Sequence, residues 1–359
     1  MAGLGGGATS LSMAGSGGFN TPFTLTLESS DSTRLGDTTS VQNTWWGTQT
    51  YDSSVITNIG QQSYQGFYAF TVGVACSLTA TLGGASGWGN SRGRSITATF
   101  SLSVGDRIVF FAGKPTVKLT TGQQVGAAGG ASCLMIYDTS LSSDADYSNG
   151  FVPWIIAAGG SASGNNYTNQ ASNWRQIEAV PLSVTSSASA IYNFRDGNGY
   201  GAGYTSNTGF DGGIGRNGTQ TGGCGWQYGP AGQPNSNLQY GTVRLGLSYG
   251  AEGCPFPGGV AGIDGGFGGG GGDADSNYYA AGGGGYFGGY ETHGGSQSGS
   301  SYYAYWGTST MADDRFGPLS FVHSSGTNVT DNGHHGSGSR ADQNNANQNK
   351  GEVELTFNP

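Results

Sequence analysis

Charge is scarce in this chain. Only 10% of its 359 residues are Asp, Glu, Lys or Arg, and the formal net charge is −9. A nucleic-acid-binding protein needs a basic patch to neutralise phosphates, so nucleic acid is not an expected partner. Helix formers such as Lys, Glu and Met are also few, whereas Ser, Thr, Asn and Tyr, which suit strands and turns, are abundant. We therefore expect a mainly β protein with few or no helices.

Long apolar runs are missing as well. The most apolar segment, residues 151–158, has the length of one strand, whereas a membrane-spanning helix needs about 20 apolar residues. The N-terminus, Met1-Ala-Gly-Leu-Gly, has neither the basic nor the apolar part of a secretory signal. We expect no membrane span and an extracellular or virion-surface location, reached after signal removal or inside a virus particle.

Cysteine is rare, and its four residues are Cys76, Cys133, Cys224 and Cys254. None lies in a Cys-x-x-Cys pair, so a structural zinc site is not expected. Cys76 and Cys133 lie in strand-like sequence, and the other two precede the longest glycine runs. Disulfides within each of these two sets and four buried thiols fit the sequence equally well.

Glycine is the residue in excess, with 71 positions, about three times ordinary usage. Its longest runs lie between Asp264 and Tyr290. Because glycine is costly to order and has no side chain to bury, such runs are either disordered or packed backbone to backbone. An aromatic content of 12% with so little charge is not typical of a disordered chain.

Short alternating or β-branched segments predict strands on both sides of these runs. Turn sequences such as Val104-Gly-Asp106 separate them, which is typical of an antiparallel sandwich or jelly roll. A last strand at 352–357 is not stable alone, so we expect it to pair back into the sandwich and the glycine-rich region to be an insertion. The other predicted strands are 23–28, 66–72, 76–82, 95–103, 106–111, 132–137, 154–157, 241–247 and 317–323.

The predicted organisation has four parts. Residues 1–20 form a flexible Gly/Ser arm, and residues 21–160 form the first part of the β-sandwich. Residues 161–310 form the glycine-rich insertion, and residues 311–359 supply the closing strands.

Several motifs occur in a fixed order along the chain. They are Trp154-Ile-Ile-Ala-Ala-Gly-Gly160, the glycine runs at 265–272 and 281–289, Ser320-Phe-Val-His323 and Gly351-Glu-Val-Glu-Leu355, preceded by Tyr68-Ala-Phe-Thr-Val72 and Phe110-Phe-Ala-Gly113. Together they resemble the extracellular glycine-rich domain of the anaplastic lymphoma kinase and leukocyte tyrosine kinase receptors. The resemblance covers residues 64–359, and residues 1–63 have no counterpart. The receptors' ligand-binding positions cannot be matched, so the resemblance implies the fold and not the ligand.

That resemblance implies a jelly-roll-like β-sandwich carrying an insertion of packed polyglycine II helices. Such helices have no internal hydrogen bonds, and parallel packing lets each N–H and C=O find a neighbouring helix. Only glycine allows backbones to come that close. The structural glycines would be Gly265, Gly266, Gly268, Gly269, Gly270, Gly271, Gly272, Gly282, Gly283, Gly284, Gly285, Gly288 and Gly289.

Motifs that usually carry chemistry are incomplete here. Gly246-Leu-Ser-Tyr-Gly250 matches a nucleophile elbow, but Pro255 and Pro257 leave no room for the helix that must follow it. A Ser hydrolase using Ser248 is therefore a remote alternative. No Gly-Lys-Ser/Thr follows a glycine run, so a nucleotide site is not expected.

Metal-binding motifs are incomplete too. Asp331-Asn-Gly-His-His335 is interpreted as a solvated loop, because adjacent extended side chains point opposite ways. The acidic segments 144–150 and 273–277 lack the Glu that closes a calcium loop, and Ile155 and Gly284 stand in its place. We expect no catalytic residues, no metal and no cofactor, and a chain that is not an enzyme.

Aromatic residues in and after the glycine runs are the remaining candidates for binding. They would either seal the glycine helices against the sandwich or form an exposed platform for a protein or glycan, because Tyr and Trp are enriched at interfaces. The candidates are Tyr278, Tyr279, Tyr286, Phe287, Tyr290 and Trp306.

The sequence therefore favours a structural or adhesive surface protein, such as a component of a virion, fibre or extracellular filament. Its expected partners are copies of itself or other surface or particle proteins. The alternative is a ligand-binding module that uses an acidic surface and the aromatic candidates to hold a basic protein or a glycan.

Overall fold

The computed structural model describes residues 19–29, 43–45, 50–61, 68–87, 92–115, 128–137, 151–160, 283–285, 291–292, 295–296, 299, 301–303, 327–335 and 350–359. All regular structure in this part of the chain is β, as the composition predicts. These residues contain no helix long and apolar enough to cross a membrane. In chain order the strands are β1 (Phe23–Ser29), β2 (Asn43–Trp45), β3 (Ile56–Gln61), β4 (Tyr68–Val72), β5 (Cys76–Gly83), β6 (Arg94–Leu102), β7 (Arg107–Phe111), β8 (Ser132–Tyr137), β9 (Phe151–Ala157), β10 (Glu291–Thr292), β11 (Gly295–Ser296), β12 (Tyr302–Tyr303), β13 (Thr327–His334) and β14 (Glu352–Asn358).

The strands form two antiparallel sheets of six strands each. The first sheet has the order β13-β6-β5-β14-β1-β2, and the second has the order β12-β9-β8-β7-β4-β3. The short strands β10 and β11 pair with each other as a separate hairpin. Strand β12 lies within the range predicted for the insertion and pairs with β9.

The two sheets pack face to face around an apolar core. In β1 and β5 every second residue is buried, which is the pattern of a sheet with one solvated face. The ring of Phe100 in the first sheet stacks on Trp154 in the second, with centroids 4.4 Å apart. The described residues therefore form a β-sandwich, the mainly-β class predicted from the sequence.

Threonine pairs cover the solvated face of the first sheet. The hydroxyls of Thr79 and Thr99 hydrogen-bond across β5 and β6 at 3.2 Å, and those of Thr81 and Thr97 do so at 2.8 Å. Such cross-strand pairs add to sheet stability and satisfy hydroxyls that alternate with the buried residues. The polar positions of these strands thus support the same register as the apolar ones.

The last strand lies in the middle of the first sheet. Leu355 of β14 is registered with Leu25 of β1 on one side and with Ala80 of β5 on the other. The prediction that residues 352–357 pair back into the sandwich is confirmed. The first and last of the described strands, β1 and β14, are therefore neighbours in one sheet.

Every strand predicted within the described residues is present, with boundaries shifted by no more than three positions. The segment at 331–335 is a correction, because Asp331–His334 belongs to edge strand β13 and not to a solvated loop. Its neighbour β6 holds it partly through Asn332, which donates to the hydroxyls of Ser95 and Thr97. Strands predicted at 241–247 and 317–323 lie outside the described residues.

The start of the described chain also differs from the prediction. Phe19, which the sequence assigns to the Gly/Ser arm, is buried and packs against Phe23 with ring centroids 5.9 Å apart. Residues 1–18 lie outside the described part. The sandwich core therefore begins two residues before the predicted boundary at 21.

Candidate functional site

Several strands end at the same edge of the sandwich, and the chain there is almost free of large side chains. We call this set the glycine lattice, and all of it except Arg92 is buried. Strands β5, β7 and β9 run into it, whereas β6, β8 and β14 begin from it. It consists of residues 84–87, 92–93, 112–115, 128–130, 158–160, 283–285, 299 and 351.

Three segments of the lattice hydrogen-bond to one another in a closed ring. The N–H of Ala85 donates to the carbonyl of Gly130, that of Gly129 donates to Gly160, and that of Gly160 donates back to Ala85, each at 2.9 Å. In a sheet a strand bonds to one neighbour on each side, so three strands cannot close a ring. The segments therefore pack as a triangle in cross-section.

A second ring shares one side with the first. Gly159 donates to Gly284 at 2.9 Å, Gly284 donates to Gly129 at 3.1 Å, and the bond from Gly129 to Gly160 closes the ring. Gly130 also donates to Lys114 at 3.0 Å, so segment 128–130 bonds to four other segments. Main chain bonded on so many sides is packed in three dimensions and not in a sheet.

The close approach explains why these positions are glycine. A Cβ on Gly84 would lie closer than 3.0 Å to the main chain of Ala158, and one on Gly159 would meet the main chain of Gly129 in the same way. The obstruction is backbone, which cannot rotate aside as a side chain can. The same clash with main chain occurs at Gly93, Gly113, Gly129, Gly283, Gly299 and Gly351.

Backbone conformation does not explain these glycines. Among the described residues, only Gly105 and Gly333 are glycines with positive φ, at 93° and 84°. Neither belongs to the lattice, and neither would bring a Cβ within 4 Å of another atom. Lattice glycines are thus required by the close approach of other backbones, whereas Gly105 and Gly333 are favoured by their dihedral angles.

A buried serine ties the lattice to both sheets. Ser132 at the start of β8 donates its hydroxyl proton to the carbonyl of Gly83 at 2.5 Å and accepts from the N–H of Gly113 at 2.9 Å. Gly351 donates to the carbonyl of Gly113 at 2.8 Å and accepts from Ser29 at 3.1 Å. These polar groups satisfy one another where water is excluded.

Cys76 and Cys133 are both free thiols, so the disulfide considered between them is absent. Cys76 opens β5 in the first sheet at the end beside Asp106, whereas Cys133 lies in β8 of the second sheet next to the lattice. They therefore lie at opposite ends of the sandwich, too far apart for a disulfide. Cys224 and Cys254 lie outside the described residues.

Some of the remaining predicted site residues lie within the described part of the chain, and the others lie outside it. Gly283, Gly284 and Gly285 are described, buried and part of the lattice. The other glycines of the predicted set and Ser248 are outside the described residues, as is each aromatic candidate. In the described part of the chain, no group of three or more His, Cys, Asp or Glu residues could hold a metal ion.

The sequence analysis missed the lattice glycines that lie outside the long runs. Gly84, Gly113, Gly129 and Gly159 each lie within three residues of a strand end and stand next to Ala or Gly. Glycine in such places usually marks a turn, and that interpretation hid them. The available signal was the repetition of small-residue pairs at the ends of antiparallel strands that meet at one edge.

Two comparisons of this chain with known proteins find no match. No protein-family model matches it, and no curated protein matches its sequence significantly. The receptor resemblance stays a prediction based on the motifs.

Proposed function

We propose that this chain is a non-enzymatic structural or adhesive surface protein, a component of a virion, a fibre or an extracellular filament. Its β-sandwich would carry a rigid insertion of packed polyglycine II helices, for which the glycine lattice is the base. The jelly-roll topology implied by the receptor resemblance belongs to the same proposal.

The closed rings of main-chain hydrogen bonds support this proposal most directly. Polyglycine II helices pack side by side with each backbone bonded to several neighbours, and glycine is required wherever helix axes approach so closely. Segments 128–130, 158–160 and 283–285 bond to one another in this manner. Segment 158–160 directly precedes the predicted insertion at 161–310, and segment 283–285 lies within it, so the lattice includes main chain of both the sandwich and the insertion.

The chemistry of the lattice supports a structural role more than a catalytic one. Its polar groups are mostly main-chain N–H and C=O groups that bond to each other. A catalytic site needs groups that remain able to reach a substrate and exchange protons with it. A main chain bonded on several sides instead supplies rigidity, which suits a spike, fibre or adhesive surface.

Hydrogen exchange tests the polyglycine part of the proposal. If residues 265–272 and 282–289 continue the lattice as packed helices, their amides will exchange far more slowly than those of an unstructured peptide. Exchange at the unstructured rate across both runs would contradict polyglycine II packing. The amides of Gly129 and Gly159 serve as internal references for protected glycine.

Assembly of the purified full-length chain tests the functional part. Size-exclusion chromatography and negative-stain microscopy should reveal self-association or binding to particles or cells. A strict monomer that binds neither would contradict a structural or adhesive role. Salt-sensitive binding of a basic protein that weakens with Tyr286→Ala would instead favour the ligand-binding alternative.

A further inference from the structure

A histidine lies against the solvated face of the first sheet, beside the glycine lattice. Its ring fills the place of a missing side chain, because a Cβ on Gly83 would lie closer than 3.0 Å to the imidazole of His335. The side chain of His335 is only 16% exposed. The imidazole is therefore held in a slot that exists because position 83 is glycine.

The His335 ring joins two points where the chain leaves and re-enters the first sheet. The chain leaves from β13 at the sheet edge and re-enters at β14 between β5 and β1. The Nε2 atom of His335 lies 2.9 Å from the carbonyl oxygen of Lys350, two residues before β14. Its backbone N–H donates to the carbonyl of Gly93 in the lattice at 2.8 Å. The end of β13 and the chain just before β14 are thus both held beside the lattice.

The residue that follows Lys350 is wedged between the sheets. Gly351 bonds to Gly113 and Ser29, and a Cβ at this position would clash with the main chain of Gly113. Because the His335 ring positions the carbonyl of Lys350, it also helps to hold the next residue, Gly351, in place. Release of the ring would free the start of the closing strand.

Charged groups surround the slot on the neighbouring strands. The Oε2 atom of Glu352 in β14 is 4.0 Å from Nε2, which is too long for a hydrogen bond. The ammonium of Lys350 pairs with Glu28 of β1 at 3.0 Å. Arg94 of β6 is registered with His334, and the last residues of β5 before Gly83, Thr81 and Leu82, carry no titratable group.

A neutral ring fits this slot better than a charged one. As the Nε2–H tautomer, His335 donates a hydrogen bond to the carbonyl of Lys350, and its ring lies against Gly83. Burial lowers the pKa of His335 below its usual range, and the hydrogen bond to Lys350 opposes this shift in part. An imidazolium in this slot would be largely cut off from water.

We propose that His335 is a proton-sensitive clasp: the neutral ring holds the start of β14 against the lattice, and protonation drives the ring out of the Gly83 slot. Lys350 and Gly351 are then released. The clasp does not depend on the function proposed above, because its contacts belong to the sandwich and the base of the lattice.

The direction of the pH effect follows from linkage. A histidine whose pKa is lowered in the folded state stabilises that state fully above its unfolded pKa of about 6.5, and the stabilisation is lost as the pH falls below it. Burial, then Glu354 and Glu28, raise the pKa of Glu352, so protonation of that carboxyl favours the folded state as the pH falls. The two groups act in opposite directions and have to be separated by mutation.

Amide hydrogen exchange of Gly351 and Ser29, corrected for the intrinsic rate at each pH, measures clasp opening in the full chain. We expect protection to fall about tenfold per pH unit below 6.5, until the folded-state pKa is reached. His335→Gln keeps a nitrogen donor near Nε2 but cannot titrate, so its protection should not fall as the pH falls through this range. The neighbouring His334→Gln and the charge-removing Glu352→Gln should both retain the loss.

Two results would overturn the clasp. One is pH-independent protection in the wild type, and the other is an equal loss of protection in His335→Gln. If His335→Gln does not fold, an NMR titration of the imidazole in the wild-type chain decides the matter. A titration midpoint of 6.5 or higher for His335 would show that the charged ring is accepted in the slot.

Discussion

The ring of Phe357 in the last strand meets the ring of Phe70 in the opposite sheet edge to face, with centroids 5.3 Å apart and an interplanar angle of 69°. Phe357 also stacks on Phe23 of the adjacent strand at 4.7 Å. Such arrangements are favourable for aromatic pairs. The Phe357 side chain therefore contacts the opposite sheet through Phe70 and the neighbouring strand β1 through Phe23.

Phe357→Ala should lower the free energy of unfolding by about 3–5 kcal/mol, because it leaves a cavity where both sheets meet. The measurement is a denaturant titration of the full-length chain. Glu354→Ala, at an exposed position of the same strand, should change stability by no more than about 0.5 kcal/mol. Equal losses for the two variants would mean that Phe357 does not hold the sheets together.

Gly159→Ala should destabilise the protein more than Gly105→Ala. The added methyl at position 159 meets the main chain of Gly129 and Gly130, so the loss should reach the upper end of the ~1–3 kcal/mol seen for overpacking. At position 105 there is space, and the expected cost is the roughly 1–2 kcal/mol of a left-handed non-glycine residue. The reverse order in a thermal unfolding comparison would contradict close backbone packing.

Ser132→Ala and Ser29→Ala form a matched pair of buried hydroxyl deletions. Removing the Ser132 hydroxyl leaves the carbonyl of Gly83 and the N–H of Gly113 without that partner, at a cost of about 1–3 kcal/mol for each unsatisfied group. The Ser29 hydroxyl is buried without a hydrogen bond, so its removal should be neutral or stabilising. Urea unfolding midpoints compare the two, and similar losses would rule out the bridging role of Ser132.

Cys76 should react slowly with iodoacetamide at pH 8. Burial, and then the charge of Asp106, raise the pKa of this thiol to about 11, so little of the reactive thiolate exists at that pH. Asp106→Asn removes the repelling charge and should speed alkylation while keeping an acceptor for the N–H of Ser103. Peptide mapping by mass spectrometry follows each cysteine separately. Alkylation at the rate of an exposed model thiol would contradict the raised pKa.

Cys133 provides the control for that experiment. It is fully buried in the second sheet, and burial raises its pKa well above the usual range. It should become reactive only when the chain unfolds, so denaturant should expose Cys133 together with loss of the sandwich. Modification under native conditions would show local opening next to the lattice.

The strands of the sandwich could be predicted because their side chains alternate. In β5, Leu78, Ala80 and Leu82 face the core and Thr79 and Thr81 face outwards, so a period of two is visible in the sequence. The closing strand had the same pattern and was a correct prediction. In such segments the structure is caused by burial of one face, and the local sequence shows this burial directly as alternating apolar and polar residues.

Edge strand β13 could not be predicted in this way. It has positive φ at Asn328 and Gly333 and irregular register with β6, and it contains few apolar residues. Its pairing depends on polar contacts such as those from Asn332 to a strand far away in sequence. Turn-forming residues therefore dominate the local signal, and the long-range partner that makes them a strand does not appear in it.

The lattice shows a different limit of sequence reasoning. The long glycine runs suggested close backbone packing, whereas single lattice glycines such as Gly84 and Gly129 looked like turn residues. What distinguishes them is the backbone of a distant segment lying where a Cβ would be. This contact between distant backbones exists only once several strands have come together, so the local sequence of one strand cannot predict it.

The lattice glycines also constrain how the sequence can evolve, because no single substitution at these positions avoids a clash with another backbone. Every one of the nineteen other amino acids has substituent atoms at the place where Gly84, Gly129 or Gly159 meets another backbone, so no single codon change gives a smaller or gentler replacement. A population can alter the threonines of the outer face one at a time, but the lattice can change only through coordinated shifts of several segments. This end of the sandwich is consequently the part that selection should preserve longest as the rest of the surface diverges.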